Sequence, residues 1–136
     1  MPSGVAIDTC ILIEFLRAKD KSKTVYAKLV RSATPLYIST IVLFEVRAGL
    51  NASNQELLLG LLRKLTCLPF DVRIAEIAAD LSMKLRRNRI QVESSDLFIA
   101  ATAIAHGLPL ATLNRKHFER IEGLILFDDE KNHANP

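Results

Sequence analysis

VAIDTCILI, residues 5–13, places an apolar strand, an acidic residue and the start of a helix in direct succession. Val5, Ala6 and Ile7 form a short apolar run, which predicts a buried strand. Thr9 can cap the helix that follows, in which the apolar residues 11, 12, 15 and 16 share one side. A buried strand that leads directly into an amphipathic helix is typical of an α/β protein, and Asp8 would lie between the two elements.

The rest of the chain repeats this alternation of short apolar strands and helices. Further strands are predicted at residues 36–38, 67–68, 110–112 and 124–127. Helices are predicted from Val25, from Ser39 or Thr40 to Gly49, over residues 57–65, after an Asp71 cap, from Ser94 or Ser95 to His106-Gly107, and around Phe118 and Ile121. Short apolar strands separated by helices predict a parallel sheet that is covered on both faces.

The length of 136 residues suits one domain, which we expect to span residues 1–130, with a flexible tail at residues 131–136. No segment approaches the roughly 20 apolar residues of a membrane span, and the N-terminus lacks the basic and apolar regions of a secretory signal. Cys10 and Cys67 lie outside any metal-binding pattern, which argues against a zinc site or a disulfide framework. We therefore expect a cytoplasmic protein that makes no membrane contact.

The basic residues are clustered rather than evenly spread. The net charge of +3 and the pI of about 9.0 permit nucleic-acid binding without proving it. Lys84, Arg86, Arg87 and Arg89 form the larger cluster, and Arg115 begins a smaller one. The larger cluster can bind phosphate, or it can be a solvated helix end, since cations favour helix C-termini.

Three acidic residues, Asp8, Glu45 and Asp96, lie where apolar runs would otherwise continue. A desolvated carboxylate is costly unless it is paired or holds a metal. Asp8 and Asn114 follow predicted strands, and Ser39 leads into the helix that carries Glu45, so we expect these residues to meet at the carboxyl edge of the sheet. Taken singly, Asp8 could be only a helix cap, and Asp96 only a first-turn residue that favours the helix dipole. Glu45 could face solvent on a narrow polar stripe with Arg47. Together the three acids predict an oxygen-rich site for Mg²⁺ or Mn²⁺.

Four segments resemble the motifs of PIN-domain nucleases. Residues 8–13, DTCILI, resemble the first motif, and residues 39–49, STIVLFEVRAG, resemble the second. Residues 96–103, DLFIAATA, followed by His106-Gly107, are similar to the third. The fourth is matched by Leu110 to Thr112, Asn114, residues 118–121 and Gly123-Leu124. The match spans nearly the whole chain in the right order, and within the family it is most similar to the VapC toxins of bacterial toxin–antitoxin pairs.

The resemblance implies a PIN-like three-layer α/β/α sandwich around a parallel sheet of four to five short strands. It implies a Mg²⁺- or Mn²⁺-dependent endoribonuclease whose metal ligands are Asp8, Glu45 and Asp96. It also implies an RNA substrate, a homodimer and a cognate antitoxin, through which operator DNA would be contacted only indirectly. Asn114 departs from the family pattern, because this place is Asp in many relatives, and His117 stands where a carboxylate is frequent.

These assignments lead to a hydrolytic hypothesis. A metal held by Asp8 and Asp96 would neutralise the phosphodiester and lower the pKa of the attacking water. Asn114 would hold a metal-bound water, and Ser39 or Thr112 would place another water or bind phosphate. The residues predicted to contact the RNA backbone are Arg86, Arg87 and Arg115.

Two other enzyme classes match poorly. A phosphoacceptor receiver domain needs adjacent acids after the first strand, whereas Asp8 stands alone, and a lysine after the last strands, whereas Arg115 follows Asn114. A haloacid-dehalogenase-type phosphatase needs a second Asp where this chain has Cys10. The alternative that stays open is a weakly active or inactive PIN module that acts by binding RNA or an antitoxin–operator complex.

Overall fold

A computed structural model of the chain describes residues 3–49 and 54–128. The elements, in chain order, are β1 Val5–Ile7, α1 Thr9–Arg17, a 3₁₀ turn at Lys21–Lys23, α2 Val25–Arg31, β2 Leu36–Ser39, α3 Thr40–Gly49, α4 Gln55–Leu62, β3 Thr66–Leu68, α5 Val72–Arg87, α6 Ser94–Ala105, β4 Leu110–Ala111 and α7 Arg115–Phe118. The tail predicted at residues 131–136 and the predicted domain boundary at residue 130 lie outside the described residues.

The four strands form one parallel sheet in the order β3-β2-β1-β4. β1 lies between β2 and β4, with Val5 opposite Leu36 and Ala6 opposite Leu110. All three residues of β1 are buried, as expected for a parallel strand covered on both faces. The predicted α/β fold with a central parallel sheet is therefore confirmed, and the carboxyl end of β1 delivers Asp8 to the middle of the sheet edge.

Two predicted helix caps are wrong. Thr9 is the first residue of α1, and the cap is Asp8, whose Oδ1 accepts from the Thr9 backbone N–H at 2.8 Å. Neither Ser94 nor Ser95 caps α6, because the helix begins at Ser94 and Glu93 occupies the capping position without a side-chain hydrogen bond. The other predicted caps are confirmed: Ser39 Oγ accepts from Val42 N at 3.1 Å, and Asp71 Oδ1 accepts from Ile74 N at 3.0 Å.

Several predicted elements are shorter than expected. The helix predicted over residues 57–65 ends at Leu62, since the next residues make tighter turns, and the last short helix ends at Phe118. β4 ends at Ala111 because the Thr112 side chain bonds to Asp8 and to the Asn114 backbone, which turns the chain away from the sheet. The strand predicted at residues 124–127 is wrong, because that segment makes only an isolated bridge between Leu110 and Leu126.

Left-handed residues follow three of the described helices, and the first is Ala33, with φ of 57°, after α2. Gly107, with φ of 65°, ends α6 where a glycine stop was predicted. Arg89, with φ of 57°, does the same after α5, and there the Ile90 N–H donates to the Leu85 carbonyl at 2.8 Å. None of the helices in residues 3–49 and 54–128 has the length and apolar character needed to cross a bilayer.

Candidate metal centre

Asp8 is held in one orientation at the carboxyl end of β1. Its side chain is buried, with 4% of the residue exposed. Oδ1 accepts from the Thr9 backbone N–H at 2.8 Å, and Oδ2 accepts from the Thr112 hydroxyl at 2.7 Å and from the Cys10 thiol at 3.4 Å. These donors come from α1 and from the segment after β4, so the sheet edge itself fixes the direction of the carboxylate.

Glu45 is tied to the same edge through Thr9. The Thr9 hydroxyl donates to Glu45 Oε1 at 2.6 Å, which joins the first turn of α1 to the middle of α3. Glu45 is half-buried, while its neighbour Phe44 points outward and is 70% exposed. The Glu45 carboxylate lines the cavity of the site and does not share the solvent-exposed side of α3 with Arg47.

Asp96 completes the group from the first turn of α6. Its side chain is 18% exposed, and Oδ2 lies 3.5 Å from Nδ1 of His117. Burial raises the pKa of Asp96 above its ordinary value, and the negative charges of Asp8 and Glu45 raise it further, whereas His117 opposes the shift. Asp96 is therefore close enough to Asp8 and Glu45 to be repelled by both carboxylates.

One cavity of about 450 Å³ brings these acids together. Asp8, Glu45, Asp96 and Asn114 line it, and the other lining residues are Thr9, Cys10, Ile13, Glu14, Arg17 and Leu113. Within the described ranges, however, no group of three or more His, Cys, Asp or Glu side chains is arranged to hold a metal ion directly. Oxygen donors of this kind fit a hydrated Mg²⁺ or Mn²⁺ that keeps several waters, and they do not form a closed protein cage.

The predicted substrate-binding residues are spread more widely. Thr112 is buried and bonded to Asp8, and Ser39 is buried beneath the start of α3, so neither hydroxyl is among the side chains that line this cavity. Arg115 is exposed and donates to the Phe127 carbonyl at 3.0 Å. Arg86 and Arg87 are both exposed, and Arg86 lines a neighbouring cavity.

Sequence reasoning missed the contacts that organise the acids. Thr9 was predicted only as a cap, although its position beside Asp8 in the sequence could have indicated a role at the site. No feature of the sequence indicated that His117 pairs with Asp96. Cys10 lines the cavity as a hydrogen-bond donor. Burial, followed by the charge of Asp8, raises the pKa of the Cys10 thiol, which keeps it protonated and poorly nucleophilic.

The sequence matches one family model and several curated proteins. The model described as the PIN domain matches residues 5–124. The chain is 37% identical over 131 residues to Ribonuclease VapC1 of Rickettsia felis, with 89% of this chain and 92% of that protein covered.

Solved structures show the same likeness. A DNA-bound VapBC from Salmonella typhimurium superimposes with a TM-score of 0.82 at 26% identity, over 92% of this chain and 97% of that chain. VapBC2 from Rickettsia felis, bound to a DNA fragment from its promoter, gives a TM-score of 0.79 at 27% identity, over 90% of this chain and 96% of that chain.

Proposed function

The chain belongs to the PIN domain family, and from this we propose that it is an endoribonuclease that depends on a divalent metal and acts as the toxin of a toxin–antitoxin pair. The observation that carries the proposal is the single cavity lined by Asp8, Glu45 and Asp96 at the carboxyl edge of the sheet. Carboxylates that repel one another in a half-buried cleft are stabilised by a cation, and cleavage of a phosphodiester needs positive charge at the same place.

The proposal gives each residue of the cavity a role. Asp8 and Asp96 would hold the ion, and Glu45 would bind it through water or orient the nucleophile. Asn114 would hold a water with its amide oxygen. A bound Mg²⁺ or Mn²⁺ would supply charge neutralisation and a water of lowered pKa. Thr112 acts through Asp8, because its one hydroxyl proton is already donated to that carboxylate.

RNA would approach over the basic surface beside the cavity. Arg86, Arg87 and Arg115 are exposed, and we propose that they contact the RNA backbone. Ser39 remains a predicted contact, but its hydroxyl is buried and already accepts from Val42 N, so the proposal does not depend on it.

The structural neighbours suggest the partners. The two described above are VapBC toxin–antitoxin assemblies, and both are bound to DNA. We propose that this chain forms a homodimer, is neutralised by a small cognate antitoxin and contacts operator DNA only through it. A cytoplasmic location and a single domain over residues 1–130 belong to the same proposal.

A second candidate follows from Asn114, which lines the cavity and departs from the PIN-domain pattern, in which this place is often Asp. A site with one acid fewer attracts a cation less strongly. The chain would then be a weakly active or inactive PIN module that binds RNA or an antitoxin–operator complex.

End mapping of cleaved RNA separates these candidates. The purified chain is incubated with total RNA in Mg²⁺, in Mn²⁺ or in EDTA, together with Asp96→Asn and the matched variant Glu119→Gln, whose exposed carboxylate lies away from the cavity. We expect cleavage by the parent chain and Glu119→Gln only with metal, leaving 5′-phosphate and 3′-hydroxyl ends. Undiminished cleavage by Asp96→Asn, or 2′,3′-cyclic phosphate ends, would overturn the proposed mechanism.

A further inference from the structure

A second and larger cavity lies directly beside the metal centre. It encloses about 740 Å³ between the C-terminal turn of α5, residues 88–93 and the start of α6. Asp96 lines both cavities, and His117, which pairs with Asp96, lines the larger one. A molecule in the larger cavity would therefore lie next to the proposed reacting phosphate.

Four of the twelve residues that line this cavity are apolar, and we call these four its floor; the other eight are polar or charged. The way α5 ends supplies two of the four. Arg89 adopts the left-handed conformation, and the Ile90 N–H turns back to donate to the Leu85 carbonyl at 2.8 Å. This turn packs the Ile90 side chain near Leu85, as is usual for helices that end in this way. The apolar residues that line the cavity are Leu85, Ile90, Val92 and Leu97.

The rim is charged. Arg86 and Arg120 are exposed and line the cavity from α5 and from the segment after α7. Arg120 donates from Nη2 to the Gln91 carbonyl at 3.2 Å, which holds its guanidinium at the rim and leaves its other N–H groups for a ligand. Glu93 also lines the cavity, on the same wall as Asp96.

We propose that this cavity is a nucleotide subsite, in which an unpaired base next to the cleaved phosphate lies on the apolar floor. Arg86 and Arg120 bind the flanking phosphates, because guanidinium groups suit phosphate geometry. The volume is in the range of small-molecule sites. A base inside a duplex cannot reach such a floor without leaving its stack. This inference rests on the proposed function, because it assumes that RNA is the ligand.

Filling the cavity tests the base contact. Ser82 lines the cavity from α5, and Met83, the next residue, is 45% exposed and is not among the lining residues. The probe is a fluorescein-labelled, mixed-sequence oligoribonucleotide of about ten residues, and its binding is measured by anisotropy in EDTA. We expect Ser82→Trp to weaken binding about fivefold or more, and Met83→Trp to stay within about twofold of the parent chain.

A charge variant tests the rim without altering the core. Arg86→Gln should weaken binding about fivefold and reduce the slope of log affinity against log salt by about 0.7. Arg63→Gln removes an exposed arginine at the end of α4 and is the matched control. It should leave the affinity and the salt slope unchanged. Melting curves by circular dichroism confirm that each variant is folded.

In a third experiment, the same oligonucleotide is annealed to its complement, and binding of the duplex is measured. Duplex binding should be indifferent to Ser82→Trp, because paired bases do not enter the cavity. Unchanged single-strand binding by folded Ser82→Trp, equal sensitivity of the duplex, or no single-strand binding by the parent chain would overturn the subsite. Because binding is measured without metal, the two proposals can fail separately. If Ser82→Trp weakens binding but the parent chain cleaves no RNA, only the nuclease proposal is overturned. If the parent chain cleaves RNA but Ser82→Trp binds as the parent does, only the subsite is overturned.

Discussion

The hydroxyl of Thr112 donates to Asp8 Oδ2 at 2.7 Å, across 104 residues of sequence. The same oxygen of Thr112 accepts from the Asn114 backbone N–H at 3.0 Å. One side chain therefore links the carboxylate after β1 to the amide residue after β4. This contact holds two predicted site residues in a fixed relation before any ligand binds.

Thr112→Val removes both hydrogen bonds while keeping the shape of the side chain. We expect RNA cleavage to fall about tenfold or more, as for other residues that orient metal ligands, with a stability loss of about 1 kcal/mol. Initial cleavage rates at saturating Mn²⁺ measure the first effect, and urea melts measure the second. Thr112→Ser keeps the hydroxyl and should retain most of the activity, so equal losses in both variants would contradict the positioning role.

Asp96→Asn should stabilise the metal-free fold at neutral pH. The pKa of Asp96 is raised in the folded state, so the folded protein holds this proton more tightly than the unfolded chain. Its contribution to stability is fully present below the unfolded pKa and is lost as the pH rises through the folded pKa. The variant should therefore melt a few degrees higher than the parent chain at pH 8 in EDTA.

The advantage of Asp96→Asn should disappear at acid pH, where Asp96 is protonated in both states. Asp80→Asn, on the exposed side of α5, removes a carboxylate that does not line the cavity and is the control. A lower melting temperature for Asp96→Asn at every pH would show that ionised Asp96 stabilises the fold instead.

Arg89→Gly should stabilise the end of α5. Arg89 has a φ of 57°, a conformation that is unfavourable for residues with a Cβ and open to glycine. We expect a gain of about 0.5–1 kcal/mol in the free energy of unfolding, measured by urea titration. Asn88→Gly, one residue earlier and at a φ of −91°, should lower the free energy of unfolding. A free energy of unfolding that is higher for Asn88→Gly than for Arg89→Gly would contradict this explanation.

Lys21 stabilises the end of α1 from a turn four residues later. Its Nζ donates to the carbonyls of Phe15 at 2.8 Å and of Leu16 and Ala18 at 3.1 Å each, and it lies 5.2 Å from the centre of the Phe15 ring. Lys21→Met should cost about 1.5–3 kcal/mol, because charged hydrogen bonds to carbonyls at a helix end are lost.

The control for Lys21→Met is Lys23→Met. Lys23 is 84% exposed and pairs with Asp20 at 3.9 Å, a contact worth less than about 1 kcal/mol. Equal melting temperatures for the two variants would show that the three carbonyl contacts of Lys21 contribute no stability.

The parallel sheet could be predicted because each strand is a short apolar run with a helix signal after it. β1 and Asp8 are one such unit, and chain order alone places Asp8 at the carboxyl end of a buried strand. The cap of α1 was predicted wrongly because Asp8 and Thr9 are adjacent and both are good capping residues. In the structure Asp8 occupies the capping position, and the Thr9 hydroxyl donates to Glu45 instead of capping the helix.

The contacts between distant segments could not be predicted in the same way. The pairing of His117 with Asp96 depends on how α7 packs beside α6, and no local pattern encodes that distance. The larger cavity depends on the left-handed turn at Arg89, and such a turn is usually predicted from a glycine, which this position lacks. Residues 124–127 are apolar enough for a strand, but they pair with β4 at one bridge only.

The central claim is that Asp8, Glu45 and Asp96 together bind one divalent cation, and Mn²⁺ titration calorimetry tests it most directly. The parent chain should bind Mn²⁺ in the micromolar to millimolar range, and Glu45→Gln should lose this binding, whereas Glu119→Gln should keep it. Binding that is the same in Glu45→Gln, or no binding by the parent chain even with RNA present, would contradict the claim.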